Sequence, residues 1–204
     1  VVSHDDDDHK GGAGSVLVLM GAHALTLGPS LRASAFDHGR AQLTRDTCRR
    51  GEAWSWDGVG FRWVHPGDVR YQRDNDSSCV LRVSAGGHAA LVTGDIEAEA
   101  ERDLIAGGFV PPVDVVIVPH HGSRTSSTAG FVEATGPQWV VYAVGHRNRW
   151  NFPVRRVVER WEQAGAQGVR TSDGGAITFE LVPGRALAPP FEWRREHLRP
   201  WRDP

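Results

Sequence analysis

The sequence is poor in thiols, almost neutral and without a long apolar run, and each of these absences excludes something. Its only cysteines are Cys48 and Cys79, with no CxxC pair, which excludes a zinc site built on thiolates. No stretch reaches the roughly 18 consecutive apolar residues that cross a bilayer, so no membrane span is read here. Lys and Arg number 23 against 25 Asp and Glu, a net charge of −2. Bulk charge therefore advertises neither nucleic acid nor an acidic surface, and a polyanion would have to be held by a local patch. No signal sequence is read in these residues either. The chain opens on Val1-Val2, which reads as the end of a buried strand, so an excised domain is expected. What remains is 204 residues, enough for one domain with a real core. The two cysteines are either unrelated buried thiols or a Cys48–Cys79 disulfide, which would imply an oxidising compartment such as the periplasm.

What the chain does have is VVSHDDDDHKGG at its start, where His4, Asp6, Asp8 and His9 stand at tight, alternating spacing. Imidazole and carboxylate are donors that suit Zn, Mn or Fe. In extended backbone, residues two apart point the same way, so His4, Asp6 and Asp8 can converge, and a following turn can bring His9 beside them. Two metals could share such a cluster. A run of four aspartates is equally a solvated acidic segment or the remnant of an expression tag. The stretch alone does not choose.

Downstream, residues 13–20 read as a short apolar helix and 24–27 as a strand ended by Gly28-Pro29. Residues 31–46 are poorly patterned and read as a helix with a polar face. Trp54-Ser55-Trp56 and residues 59–64 flank Asp57-Gly58, a strong hairpin signal, and 79–83 pairs with 89–92 through Gly86-Gly87. The eight tryptophans are read as strand and interface packing. Ile96, Ala100 and Leu104 recur at helical spacing over 96–106, with Glu97, Glu99 and Glu101 suiting the helix dipole. Residues 113–118 and 139–144 are nearly continuous apolar runs, read as strands buried on both faces, with a helix at 129–135 between them. Pro153 suits the first position of a helix carrying Val154, Val157, Val158 and Trp161. Final strands are read at 169–170 and 176–181, and a Pro- and Arg-rich tail, 183–204, is expected to wrap the surface or fray. Hairpins early and alternating strands and helices later predict a sheet sandwich with helices outside.

Three groups of candidate ligands then stand at the C-terminal ends of predicted strands: the acidic loop, Asp95, and His120-His121. A lone Asp after Thr-Gly is usually a turn residue, and a lone His pair is usually exposed or packed. Together they supply the His/Asp-rich set that a two-metal hydrolase needs.

In order along the chain, His4-x-Asp6-x-Asp8-His9, Thr93-Gly94-Asp95 and Pro119-His120-His121-Gly122-Ser123 resemble the successive motifs of the metallo-β-lactamase fold. The wider runs SHDDDDHKGG, LVTGDIE and VPHHGSRTSS resemble more closely still the C-terminal domain of the ComEC family, the DNA-uptake channel proteins of bacterial competence. Gly145-x-Arg147-Asn148-Arg149 and Arg170-Thr171-x-x-x-Gly175-Ala176 fit the same family, and the resemblance covers residues 1–181. It sets the tag reading aside.

The resemblance implies an α/β fold, a metallo-β-lactamase-like αββα sandwich over residues 1–182, with 183–204 as a tail. The sandwich is expected to be incomplete at the N-terminus, because the Asp-Val-Gly-Gln-Gly-Asp-like opening of the fold is not in this sequence. Two divalent metal ions, Zn or Mn, are implied. His4 and Asp6 would hold one, Asp8, His9 and His120 the other, and Asp95 would bridge them. Asp8, Asp95 and His120 would carry the catalysis, on water activated by the cations. His121 is expected behind the ligands, while Ser123, Arg124, Arg147, Asn148 and Arg149 are candidates to hold phosphate. Two positions depart from the pattern. Asn75 or Asp76 stands where the superfamily has a further His, and Phe152 where relatives carry a His before the Pro.

The implied activity is that of a phosphodiesterase, a nuclease degrading the non-transported strand in natural transformation. It would sit in the extracytoplasmic, periplasmic part of a bacterial inner-membrane protein. Its partners would be DNA, as a single strand of the incoming duplex, and the membrane-channel portion of the same full-length protein. Two rival readings follow from the same residues: a stand-alone phosphodiesterase of this fold with a small substrate, and a non-catalytic module that binds DNA or stiffens the channel, which the two departures favour.

Overall fold

The structure, a computed structural model, describes residues 1–36, 43–110 and 112–198. Its first elements build a small strip of parallel backbone. A one-turn helix α1 (Asp7–Lys10) and an apolar helix α2 (Ala13–Leu19) lead into β1 (Ala24–Leu27), which pairs in parallel with β2 (Thr44–Thr47). Val2 joins the strip through a parallel bridge to Leu27. Val2, Leu17, Leu25, Leu27, Phe36 and Leu43 pack together as its core. Over residues 31–46, read as a helix, the described residues form a 3₁₀ turn at Ala33–Phe36 and then β2. Residues 37–42 of that reading lie outside the described residues. Pairing with β1, a contact no local pattern signals, is what makes Thr44–Thr47 a strand.

The main sheet has seven strands in sequence order: β3 (Ala53–Trp56), β4 (Val59–His65), β5 (Val80–Ala85), β6 (His88–Val92), β7 (Val115–Ile117), β8 (Trp139–Tyr142) and β9 (Gln167–Arg170). Its first four strands are antiparallel and its last four parallel. The connections dictate the change. Asp57-Gly58 (φ 49° and 79°) and Gly86-Gly87 (φ 61° and 90°) adopt the left-handed backbone of two-residue hairpin turns. Helices α3 (Ala98–Ala106), α4 (Ala129–Thr135) and α5 (Arg155–Gln163) instead carry the chain back between the parallel strands.

Alternation along the strands separates two faces. Leu91, Val116 and Val140 meet Ala100, Leu104, Phe131, Val157 and Trp161 of the helices. Val115, Trp139, Val141 and Val169 point the other way, where Ile177, Phe179, Leu181 and Leu187 cover them. The thin second layer of the sandwich is the Val2–β1–β2 strip, tied to the start of β5 by a Cys48–Cys79 disulfide with a Cα–Cα distance of 5.9 Å.

Two sequence expectations need correction. Pro153 does not open a helix: it follows a cis bond from Phe152, and α5 starts two residues later, with Val154 extended so that its N–H donates to Gly122 O at 3.0 Å. Residues 176–181 add no strand to the main sheet. After α6 (Thr171–Gly174), a two-residue β10 (Ile177–Thr178) pairs with β11 (Phe191–Glu192), which precedes α7 (Trp193–Glu196). The tail wraps instead of fraying as far as it is described, because Leu187 is buried under the sheet; residues 199–204 lie outside the described residues. Among the described residues no helix is long and apolar enough to cross a membrane.

His65, closing β4, is fully buried, with Nδ1 donating to Ser78 O at 2.8 Å and Nε2 3.1 Å from the Tyr71 hydroxyl, which reaches Asp103 at 2.9 Å. Burial holds its pKa down to about 4 from the ordinary 6.5. The unfolded chain therefore takes up the proton first on acidification. The stability tied to His65 is complete above about pH 6.5 and is lost as pH falls towards about 4, by roughly 3 kcal/mol in all. Urea unfolding of the metal-free protein at pH 7 and pH 5 should show this slope, and His65→Gln should flatten it. Equal slopes in both proteins would remove His65 as the cause.

Candidate functional site

Parallel β6, β7 and β8 end at the same edge of the sheet, and the loops leaving them carry Asp95, His120-His121 and residues 145–152. The small strip delivers the acidic loop to that edge. Val2 N donates to Thr26 O at 2.9 Å and Gly28 N to Val2 O at 2.8 Å. Position 28 must be glycine, since a Cβ there would lie 1.9 Å from Ser3 O. His4, fully buried, follows, with Nδ1 3.0 Å from Ser3 Oγ and 3.2 Å from Ser78 Oγ. The expected turn is α1 itself: Asp6 O accepts from His9 N at 3.0 Å and Lys10 N at 2.9 Å, which swings His9 back beside His4 with ring centroids 4.2 Å apart. Asp5 and Asp7 face outward, where Lys10 pairs with Asp5 at 2.6 Å.

Asp95 is the hub. It is buried, its N–H donates to Ser78 Oγ at 3.1 Å, and its carboxylate lies 3.2 Å from His9 Nε2, 3.5 Å from His121 Nε2 and 3.9 Å from both His4 Nε2 and His120 Nε2. Gly94 takes φ 55°, and a Cβ there would lie 2.8 Å from Ser78 Cβ. Both histidines of the pair adopt left-handed backbone, φ 48° and 54°, uncommon outside glycine. That backbone turns both rings inward. His121 Nδ1 donates to Ala143 O at 2.7 Å, which aims Nε2 to within 3.3 Å of both His9 Nε2 and Asp8 Oδ2. The structure thus brings His121, expected behind the ligands, into the cluster of candidate donors.

Electrostatics follow from this crowding. Burial raises the Asp95 pKa, but the hydrogen bond from His9 and the charges of His121, His9 and His120 outweigh it and leave it lowered. For His9, burial pulls down and the Asp95 hydrogen bond with the Asp95, Asp8 and Asp6 charges pulls up, leaving the pKa raised. His4 is held low by burial.

A divalent cation fits these donors. His4 Nε2 is buried without a hydrogen-bond partner, and it faces Asp6 Oδ2 at 3.4 Å. His9 and His121 point ring nitrogens at each other across 3.3 Å. One atom from each of His4, His9 and Asp95, and one from each of Asp8, His9 and His121, lie within 4.8 Å of one another. Orphaned and mutually facing lone pairs of this kind are what a cation satisfies.

The sequence reading missed Glu97 and Ser78. Glu97 is buried, with Oε1 3.3 Å from His120 Nδ1 and Oε2 2.7 Å from Arg73 Nη1. Asn75, expected in place of a ligand, donates to Glu97 Oε1 at 3.2 Å, and buried Asp76 accepts from Glu97 N at 2.8 Å. A signal was there: Glu97 stands only two residues from Asp95, and its own backbone is extended. Removing its carboxylate by Glu97→Gln should weaken Zn²⁺ binding about 10- to 100-fold through the orientation of His120. Calorimetry checks it, and unchanged affinity would show the contact to be idle.

The remaining candidates divide. Ser123 is buried, its hydroxyl 3.0 Å from Thr125 Oγ1, which is 3.3 Å from His120 Nδ1, so it braces the loop and does not face solvent. Arg124, Arg147 and Arg149 are exposed. Asn148 is spent on the loop itself, its side chain bonding Phe152 N at 2.9 Å and Phe152 O at 2.8 Å. Phe152 stacks on His121, centroids 6.5 Å apart at 17°.

Comparison with known proteins follows the same lines. Over 190 residues the chain is 35% identical to Competence protein ComA of Neisseria gonorrhoeae, covering 92% of this chain and 26% of that protein. It is 30% identical over 201 residues to Recombination protein 2 of Haemophilus influenzae, covering 98% and 24%. With ComE operon protein 3 of Bacillus subtilis the identity is 25% over 201 residues, covering 94% and 26%. The chain therefore spans about a quarter of the length of these relatives. No protein-family model matches it. Among solved structures it is similar to the metallo-β-lactamase fold protein YhfI of Bacillus subtilis, at 12% identity and a TM-score of 0.50 over 82% of this chain and 71% of that one. A mutant of CmlA beta-hydroxylase gives 15% identity and a TM-score of 0.51 over 83% of this chain and 42% of that one. The fold is the metallo-β-lactamase fold.

Proposed function

This chain belongs to the ComEC family over the quarter of its relatives' length that it matches, and from that membership we propose that it is a metal-dependent hydrolase cutting phosphodiester bonds of DNA. The observation that carries the reading is the convergence of four imidazoles on the buried Asp95 carboxylate, with His4 Nε2 left without a hydrogen bond.

His4 and Asp6 would hold one divalent cation, Zn or Mn, and Asp8, His9 and His120 a second, with His121 as a further donor beside them and Asp95 serving both. Such cations supply a nucleophile from water at neutral pH and neutralise charge developing on the phosphate. The chain's own residues do the rest. Ser78 fixes Asp95 through its N–H, and Glu97, clamped by Arg73 and Asn75, turns His120 so that Nε2 faces the centre. Asp6 and Asp8 keep 51% and 65% of their side chains exposed, so a phosphate approaches from their side. Arg124, Arg147 and Arg149 are the exposed cations that would take the flanking phosphates.

In this reading the domain works outside the cytoplasm, in the periplasm, beside the membrane-channel portion of a full-length DNA-uptake protein, and degrades the strand that is not taken up. The disulfide supports an oxidising compartment. The test is DNA cleavage with Mn²⁺ or Zn²⁺ by the wild type and by Asp8→Ala. Wild-type cleavage, stopped by chelation and slowed at least about 100-fold by the substitution, is expected; equal cleavage by both would sink the proposal.

One observation favours a second reading, a small diester substrate. A largely apolar cavity of about 240 Å³, lined by Val1, Trp63, Leu81, Val92 and Ile117, abuts His9, Asp95 and His121. A higher kcat/KM on a dinucleotide than on a long oligonucleotide would select it.

A further inference from the structure

Residues 145–152 lie outside the ligand cluster yet are built onto it. Besides its stack on His121, the Phe152 ring meets His120 edge-on with centroids 5.8 Å apart. Asn148 cross-bonds the loop through Nδ2 to Gly145 O at 3.3 Å and through the two contacts with the Phe152 backbone, and Asn151 N donates to Asn148 O at 3.1 Å. On this braced loop Trp150 is 61% exposed, and the Arg149 guanidinium lies over its ring, 4.6 Å from the centroid. One residue, Asn151, stands between it and Phe152, so at most about 7 Å of backbone separates them. Alongside opens a polar cavity of about 300 Å³ whose lining includes His146, Arg147, Arg170 and Ser172, with Asp173 as its carboxylate.

A single exposed apolar residue is ordinary on a protein surface. Trp150 differs in that side-chain hydrogen bonds brace its loop, it stays largely exposed, and a cation lies over its ring. An aromatic face paired with Arg beside a cationic pocket is how proteins hold an unpaired base and its phosphate.

We propose that Trp150 and Arg149 form a stacking platform for an unpaired base of a single-stranded nucleic acid, with the Arg147–Arg170 cavity taking the adjoining phosphate. The inference rests on the phosphodiesterase reading and narrows it. The preferred substrate is a single strand or a frayed end, because bases inside a duplex already have both faces stacked.

The test compares wild type, Trp150→Ala and Trp150→Phe on a labelled oligo-dT, on an abasic oligomer of equal length and on a closed duplex, by Mn²⁺-dependent kcat/KM and by fluorescence anisotropy. Trp150→Ala should lose roughly tenfold on oligo-dT and less than about twofold on the abasic oligomer, with Trp150→Phe in between. Equal losses on both oligomers, no loss on either, or a wild-type preference for duplex would each overturn the platform. If the wild type cuts no substrate, the phosphodiesterase reading fails by itself. Anisotropy then still judges the platform, which falls if Trp150→Ala binds oligo-dT as tightly as wild type does.

Discussion

Asp95→Asn is expected to abolish tight divalent-metal binding and to lower phosphodiester hydrolysis at least about a thousandfold, equivalent to about 4 kcal/mol of transition-state stabilisation. Asn has the shape of Asp but one charge less, and its amide nitrogen cannot ligate. The carboxylate it replaces is the buried group on which His4, His9, His120 and His121 all converge. Without it, a bound cation would sit among neutral imidazoles with the half-exposed Asp6 and Asp8 left to offset its charge. The fold should persist, since Asp95 N, not its side chain, bonds Ser78. Calorimetry with Zn²⁺ and Mn²⁺, alongside cleavage assays, reads both effects. Wild-type affinity in the variant would dismiss Asp95 as the hub.

Breaking the Cys48–Cys79 bond is expected to lower stability by about 3–4 kcal/mol. The bond closes a loop with a sequence separation of 31, and freeing a loop of that size restores the corresponding chain entropy to the unfolded state. For a domain of this length the shift in Tm is roughly 10 °C. The effect should also reach the site. Cys79 N donates to Ser3 O at 3.2 Å, and the preceding Ser78 touches both His4 Nδ1 and Asp95 N. Loosening the bridge therefore frees the peptide that sets His4 against Asp95, and metal affinity should fall with stability. Calorimetric melting with and without reductant, with and without Zn²⁺, separates the two. A Tm change under about 2 °C would mean that the strip is held without the bridge.

Strand pairing was legible wherever turn chemistry was local. Asp57-Gly58 and Gly86-Gly87 need left-handed backbone and announce it by residue type. β2 was not legible, because Thr44–Thr47 becomes a strand only by lying beside β1. Pro153 misled for a related reason: the Gly122 carbonyl, distant in sequence, claims Val154 N and keeps it out of the helix.

At the site the donor types were readable and their geometry was not. Spacing showed that imidazole and carboxylate recur in three motifs, and those residues converge at one edge of the sheet. That His121 points inward depends on Ala143 O at the end of β8, which claims its Nδ1. That Glu97 serves His120 depends on Arg73 and Asn75, brought there from a loop far away in the chain. Residue type and spacing are local properties, so the sequence by itself determined the donor types, the hairpins and the buried parallel strands. Which nitrogen faces the centre, and which carboxylate orients it, are set by contacts between segments distant in sequence, and only the tertiary structure decided them.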